Sequence, residues 1–339
     1  MTGESFAVAI AGANGVVGGT VRRILEERSF PVGELRLLAS ARSAGRRLPF
    51  KGAELEVQEL GPGSFAGVDL VFFAAGGAVS KEYAPQAVGA GATAIDKSST
   101  FRMDPGVPLV VPEVNADHLA AHTGIIATPN CSTIQMVVAL KPIYDEVGIK
   151  RVVVSTYQAV SGSGQGGIAA LDAQARQWAA GEPVKQQFYP HQIAFNVLPH
   201  IDGFLPSGYT KEEQKMVDET TKIFADPDLR VAATCVRVPV FGAHSEALNV
   251  ETWKKLTAGE ARELLAGSPG IVVVDDPAEL RYPLPLDAEG KDPVYVGRIR
   301  EDVTVKNGLD LWVVSDNLRK GAALNAVQTA EELVRRGLL

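Results

Sequence analysis

The first 28 residues do most to limit what this chain can fold into. Phe6–Ala11 (FAVAIA) is an unbroken apolar run of strand length, residues 12–18 (GANGVVG) form a glycine-rich loop, and residues 17–28 carry apolar side chains at helical spacing. A buried strand that feeds a helix through glycines is the opening of a doubly wound parallel sheet. Strand-length runs follow at 35–39, 55–59, 68–74 and 92–95, with a helix at about 80–90. The expectation is an α/β fold whose first domain, residues 1–130, is a Rossmann-type dinucleotide-binding unit.

That loop also has a chemistry. Glycines let the main chain approach a pyrophosphate closely, and the N–H groups at the start of the next helix attract its charge. Gly12, Gly15 and Gly18 are spaced GxxGxxG, not GxGxxG, so the flanking strand and helix carry as much of the argument as the glycines do. The end of the second strand selects the nucleotide. An Asp or Glu there would bind a ribose 2′-hydroxyl. Residues 39–43 read Ala-Ser-Ala-Arg-Ser, and Arg42 with the Ser43 hydroxyl can hold a 2′-phosphate instead. The cofactor read from this is NADP. A solvated cluster of Arg42, Arg46 and Arg47 is the plainer alternative.

Beyond about residue 130 the texture changes. Longer alternating strands are predicted at 151–158, 231–240, 247–254, 294–301 and 309–314, with helices near 167–180, 210–224 and 258–265. This second domain, residues 131–319, should be α+β with a mixed, largely antiparallel sheet. A last helix, about 322–336 within residues 320–339, is expected to pack back on the first domain. The proline-rich stretch 275–293 reads as a loop. The formal net charge of −7 argues against nucleic acid or an anionic membrane as partner. No apolar stretch is long enough to span a bilayer. The N-terminus has neither a basic region nor a long apolar one, so no leader is expected and the cytoplasm is. In that compartment the two cysteines, Cys131 and Cys235, stay thiols.

Cys131 lies in Pro-Asn-Cys-Ser-Thr, just before an apolar helical run, with Asn130 or Ser132 available to cap the helix. The positive end of a helix dipole favours thiolate over thiol, and a thiolate attacks carbonyls to form thioesters. Cys235 sits within an alternating strand and reads as core. Arg237 and His244 flank a turn. The arginine can hold a carboxylate with two hydrogen bonds, and the imidazole can move protons near neutrality. On its own His244 reads equally as a turn residue. Residues 155–167 run from a strand into a glycine-rich loop that could lie against a flat ring. Glu212 and Lys215 are at i and i+3 of a helix. They could read an ammonium and an anion, although on residues alone a solvated salt-bridged helix is the plainer reading. Arg102 follows a strand end, where an open parallel sheet binds ligands, and would suit a phosphate. His118 and His122 have metal-like spacing but no third ligand, so no metal is expected.

Along nearly its whole length the chain resembles the aspartate-semialdehyde dehydrogenase family. The resemblance rests on GANGVVG, SARSAG, DKSSTFR, TPNCST, STYQAVSGSGQGG, GYTKEEQKM, TCVRVPVFGAHSEA and SDNLRKGAALNAVQ. It implies a second domain like that of glyceraldehyde-3-phosphate dehydrogenase, and assembly as a homodimer or tetramer through that domain. It also implies NADPH-dependent reductive dephosphorylation of L-aspartyl 4-phosphate to L-aspartate 4-semialdehyde. That step serves lysine, diaminopimelate, methionine, threonine and isoleucine biosynthesis. Carried over by residue, it makes Cys131 the acyl-thioester nucleophile and His244 the acid/base. Gln158 and Arg237 become substrate contacts, Arg102, Asn130 and Lys215 the phosphate site, and Glu212 the partner of the substrate amine. Asn14, Gly15, Val16, Val17, Ser40, Arg42, Ser43, Ser161, Gly162 and Asn317 become NADP contacts. Where the family often has glycine before the histidine, this chain has Ala243, which is harmless provided the backbone there is not at positive φ. Three other readings compete, of which a short-chain dehydrogenase is disfavoured because the chain has no YxxxK pair. N-acetyl-γ-glutamyl-phosphate reductase uses the same thioester logic, but Glu212 beside Lys215 argues for a free amine. A non-catalytic NADP sensor would need no thiolate at a helix start.

Overall fold

The computed structural model describes residues 5–339, so the expectation about a leader falls partly outside the described residues. The chain divides into two compact units, one comprising residues 1–130 with 322–339 and the other residues 131–321.

The first unit is built on β1 (Phe6–Ala11), α1 (Val16–Glu27), β2 (Val32–Ala39), β3 (Arg47–Phe50), β4 (Ala53–Glu59), β5 (Leu70–Phe73), α2 (Gly77–Gly89), β6 (Thr93–Asp96), α3 (Pro112–Asn115) and β7 (Ile125–Ala127). The strands order as β3-β4-β2-β1-β5-β6-β7, and every pairing is parallel except β3 with β4. The chain therefore winds outward in both directions from β1. The carboxyl end of β1 is the switch point where such sheets bind ligands. β5 is buried along its whole length, as a strand covered on both faces must be. On α1 the buried side chains Thr20, Val21, Ile24 and Leu25 make one stripe. Each fully buried aliphatic there contributes about 1.5–3 kcal/mol.

The second unit begins with α4 (Cys131–Val147), β8 (Ile149–Gln158), α5 (Gly164–Ala179), α6 (Lys211–Phe224), β9 (Arg230–Arg237) and β10 (His244–Thr252). It continues with α7 (Ala258–Ala266), β11 (Ile271–Val273), α8 (Pro285–Ala288), β12 (Val294–Glu301) and β13 (Gly308–Ser315). Its sheet order is β11-β12-β13-β10-β8-β9. The three central pairings are antiparallel and the two outer ones parallel. α6 starts with a capping box in which Thr210 and Glu213 satisfy each other's main-chain N–H groups, worth about 1 kcal/mol. The short helix α8 lies within the stretch read as loop, and β11, just before that stretch, is a strand that sequence reading missed.

The last helix, α9 (Leu324–Arg336), belongs to the first unit. Leu324, Val327, Ala330 and Leu333 enter the core formed by β1, β2 and α1. Asn325 Nδ2 donates to the Val110 carbonyl at 2.9 Å, and Glu331 pairs with Arg28 at 2.7 Å. Gly337, at φ 65°, ends the helix in the left-handed conformation that favours glycine. Among the described residues no helix is long and apolar enough to cross a membrane.

Candidate active site

The glycine loop closes β1 onto α1. Gly12 and Ala13 both donate to the Leu38 carbonyl, at 2.8 and 3.1 Å, which ties the loop to the end of β2. Gly12 has φ +92°, and a Cβ there would lie 2.8 Å from the Ala74 carbonyl carbon; one on Gly18 would run into the Gly12 carbonyl oxygen. The absence of side chains is thus what lets the turn close. Asn14 Nδ2 is buried there with no hydrogen-bond partner among the described residues. A donor aimed out of a glycine cradle at a helix start fits a dinucleotide pyrophosphate. At the end of β2, Ser40, Arg42 and Ser43 lie on or beside a 3₁₀ turn (Ala41–Ser43), with Ser40 and Arg42 exposed and no carboxylate in the turn. That suits a 2′-phosphate.

Arg102 belongs to the same unit. Its side chain is buried, with Nε donating to the Thr128 carbonyl at 2.9 Å and Nη2 to the Lys97 carbonyl at 2.8 Å. Two main-chain oxygens at the ends of β6 and β7 therefore fix the guanidinium plane. Asn130, also buried, immediately precedes α4.

In the second unit Cys131 is the first residue of α4 and is partly exposed. Its sulfur lies at the positive end of a 17-residue helix, which favours the thiolate. Cys235 is the opposite case. It is fully buried, and burial above all, with Glu212, Glu213 and Glu246 nearby, pushes its thiol well up against a weaker opposing contact from Thr156.

His244 opens β10; the turn predicted to carry it ends one residue earlier. The Ala159 N–H donates to its Nδ1 at 3.0 Å, so in the neutral ring the proton resides on Nε2. A Cβ placed on Gly162 would stand 3.2 Å from that Nε2 and 2.9 Å from Arg237 Nη1. The imidazole and the guanidinium therefore border one small space. Arg237 ends β9, is buried, and donates from Nη1 to the Ala159 carbonyl at 2.7 Å. Ala159 thus positions both groups, the imidazole with its N–H and the guanidinium with its carbonyl. Ser161 Oγ donates to Asn317 Oδ1 at 3.0 Å.

Ala243 departs from expectation. Its φ is +61°, the region in which a methyl group carries strain, so the condition under which it would be harmless is not met.

Glu212 and Lys215 are not a solvated pair either. Glu212 is only 6% exposed. Its Oε1 accepts from Gln158 Nε2 at 3.1 Å, and its Oε2 from Lys215 Nζ at 3.1 Å, while Lys215 also reaches Asp202 at 2.9 Å. Burial works against the Lys215 ammonium, but the Glu212 and Asp202 carboxylates outweigh it and hold its pKa above the usual lysine range. Burial likewise opposes the Asp202 carboxylate, yet Lys215 and the Gly203 N–H hold it below the usual range. Thr156 Oγ1 donates to Gln158 Oε1 at 3.1 Å, which fixes which way that amide points. Sequence reading missed Thr156 and Asp202. Strand alternation could have found Thr156, two residues before Gln158 on the same face; nothing around Asp202 marks it.

His118 lies on a 3₁₀ helix (Ala116–Ala121), not an α-helix, and His122 is its C-cap, so the two do not share a helical face. His122 Nδ1 accepts from the Gly124 N–H at 3.2 Å. Among the described residues no group of His, Cys, Asp and Glu is arranged to hold a metal.

Comparison with known proteins shows the family. The family described as semialdehyde dehydrogenase, NAD binding domain, matches residues 7–122, and the semialdehyde dehydrogenase dimerisation domain matches residues 140–320. The chain is 57% identical to aspartate-semialdehyde dehydrogenase of Aquifex aeolicus, across 98% of this chain and 99% of that one. It superposes on the crystal structure of aspartate semialdehyde dehydrogenase II from Vibrio cholerae, complexed with ASA, with a TM-score of 0.96 and 50% identity over 98% of this chain and 99% of that one. The enzyme from Candida albicans, solved with NADP, matches with a TM-score of 0.77 and 26% identity over 99% of this chain and 100% of that one.

Proposed function

The chain belongs to the aspartate-semialdehyde dehydrogenase family, and from that premise we propose how its own residues perform the reaction. It is an NADP-dependent, phosphorylating aldehyde dehydrogenase of amino-acid biosynthesis, converting L-aspartyl 4-phosphate and NADPH to L-aspartate 4-semialdehyde, NADP and phosphate.

Arg237, with its fork already oriented by Ala159, grips the substrate α-carboxylate. Glu212, held between Gln158 and Lys215, receives the substrate amine. Arg102, Asn130 and Lys215 receive the phosphate. The Cys131 thiolate attacks the acyl carbon, the C–S bond forms, and the bond to the phosphate oxygen breaks to leave a thioester. The glycine loop with Asn14, the residues Ser40, Arg42 and Ser43 beyond β2, and Ser161, Gly162 and Asn317 are the groups that would hold NADPH. Bound there, NADPH supplies the hydride that reduces the thioester. His244 shares its Nε2 proton with the oxygen of the tetrahedral intermediate and takes it back as the C–S bond breaks and the aldehyde leaves.

One observation carries this reading: Arg237 Nη1 and His244 Nε2 lie within 3.2 Å of the same point over Gly162. The carboxylate grip and the proton-bearing atom are therefore spaced for a substrate only four carbons long. A second copy completes the enzyme as a homodimer. The other face of the second sheet, hollowed between Val153, Ala247, Tyr282, Leu284, Arg300 and Trp312, is where that copy is proposed to pack. We place the enzyme in the cytoplasm, where thiols such as those of Cys131 and Cys235 stay reduced.

The test is phosphate-dependent reduction of NADP by aspartate semialdehyde, the reaction run backwards. Cys131→Ala should lose about a thousandfold or more in turnover while binding NADP as the wild type does. A variant that kept most of its activity would rule out the covalent scheme.

A further inference from the structure

The buried face of the second sheet holds an ionisable group that this scheme does not use. Glu246 is 0% exposed and lies two residues along β10 from His244. Alternate residues of a strand share a face, so the two side chains project to the same side. On α4, Gln135 follows Cys131 by four residues and is also fully buried. That spacing puts it one turn behind Cys131 on the same helical face. α4 packs on β10. The Gln135 amide is the polar side chain that bears on the Glu246 carboxyl, and neither group makes a hydrogen bond among the described residues.

The spacings agree. Four residues advance a helix by about 6 Å, and two residues advance a strand by about 6.6 Å. With Gln135 opposite Glu246, Cys131 comes opposite His244. We infer that Gln135 and Glu246 are positioning residues, a buried polar rung one step behind Cys131 and His244 that sets the register of the nucleophile helix on the strand carrying the imidazole. The inference rests on reading Cys131 and His244 as the reacting pair.

The chemistry of the rung follows from its burial, which holds the Glu246 carboxyl well above the usual carboxylate range, with the Gln135 contact only partly opposing this. A protonated carboxyl and a primary amide are complementary. The O–H can donate to Oε1 and the carbonyl oxygen can accept from Nε2 once the two groups close to hydrogen-bond range. A carboxylate could offer only acceptors. Such a pair fixes one register, because sliding the helix strands both groups without partners.

The experiment compares Glu246→Gln, Glu246→Leu and the double variant Q135L/E246L. Two quantities are read: steady-state turnover, and the rate at which iodoacetamide alkylates Cys131. Cys235, fully buried, stays silent. Glutamine can make the same two-point pair, so Glu246→Gln should keep kcat within about threefold. Glu246→Leu should lose about tenfold to a hundredfold in kcat with KM within about twofold, the signature of misplaced reacting groups, and should alkylate correspondingly more slowly. If Glu246→Leu does not fold, the double variant, which leaves no polar atom stranded, is read in the same way. Leucine variants with wild-type kcat and alkylation would overturn the inference. So would a Glu246→Gln as impaired as Glu246→Leu, because the carboxyl would then be acting as an acid. Alkylation needs neither aspartyl phosphate nor NADPH. A wild type that alkylated normally yet did not reduce the substrate would therefore defeat the assigned reaction, while the rung would still stand or fall on the alkylation of its variants.

Discussion

The loop after β1 and the strand ends around His244 solve different problems with different materials. The first is made of main chain: Gly12 and Gly18 approach backbone atoms so closely that the turn exists only because side chains are missing. The second is made of buried polar side chains, Gln158, Glu212, Arg237 and His244, each held by a hydrogen bond to a neighbour. A dinucleotide phosphate is bound by main-chain N–H groups and a helix dipole, which any sequence can supply if the chain can turn tightly enough. A reacting acyl group needs particular acids, bases and cations at fixed positions. Damage should therefore appear as lost folding and cofactor binding in the first region, and as lost kinetics on an intact fold in the second.

The largest effect on folding and cofactor binding should come from Gly18→Ala. Its new Cβ meets the Gly12 carbonyl oxygen, a backbone atom that cannot rotate aside. Overpacking of this kind costs about 1–3 kcal/mol or more, and the turn proposed to cradle the phosphates must open to relieve it. A thermal midpoint lowered by several degrees and NADP affinity weakened at least tenfold are expected, read by melting and by cofactor titration. Native stability and affinity in this variant would break the comparison, because the loop would then not depend on missing side chains.

Arg237→Lys tests the other region and should be next in size. Lysine keeps the charge but not the planar fork, nor the hydrogen bond that holds Nη1 on the Ala159 carbonyl. KM for aspartate semialdehyde should rise about tenfold to a hundredfold, the worth of a bidentate charge-assisted contact, with the thermal midpoint and NADP binding unchanged. A loss confined to kcat would show that the arginine acts on the transition state and not on the bound carboxylate.

The same contrast explains what could be read from sequence. β1 and β12 lie at the predicted residues, because apolar runs bounded by turn residues mark strands well. β10 does not. It begins at His244, three residues before its apolar pattern does, because His244, Ser245 and Glu246 are polar and yet buried. Burying a site's chemistry erases the alternation by which a strand is recognised. β9 ends at Arg237, earlier than predicted, since Pro239 cannot extend the ladder. Cys131 could be singled out because it stands at the start of a helix, Arg102 because it follows a strand, and Arg237 because it flanks a turn. Asp202 and Glu246 could not, because their importance lies in which side chain they touch, and contacts between distant segments leave no local trace.

Ala243 is where the two materials meet, and it gives the smallest and sharpest test. It is buried, it directly precedes His244, and its φ of +61° costs an L-residue about 1–2 kcal/mol. Ala243→Gly would relieve that strain. It would also remove a methyl that packs with Ala288 and Val314, worth about 0.8 kcal/mol. The strain is the larger of the two, so the midpoint should rise by about 1–3 °C. Turnover should stay within about twofold, since the imidazole is anchored by the Ala159 N–H and not by its own neighbour in sequence. A lowered midpoint would mean that packing outweighs backbone geometry even at a positive φ, and that the second region is made of side chains throughout. A raised midpoint with reduced turnover would mean that the strain itself holds His244 in place.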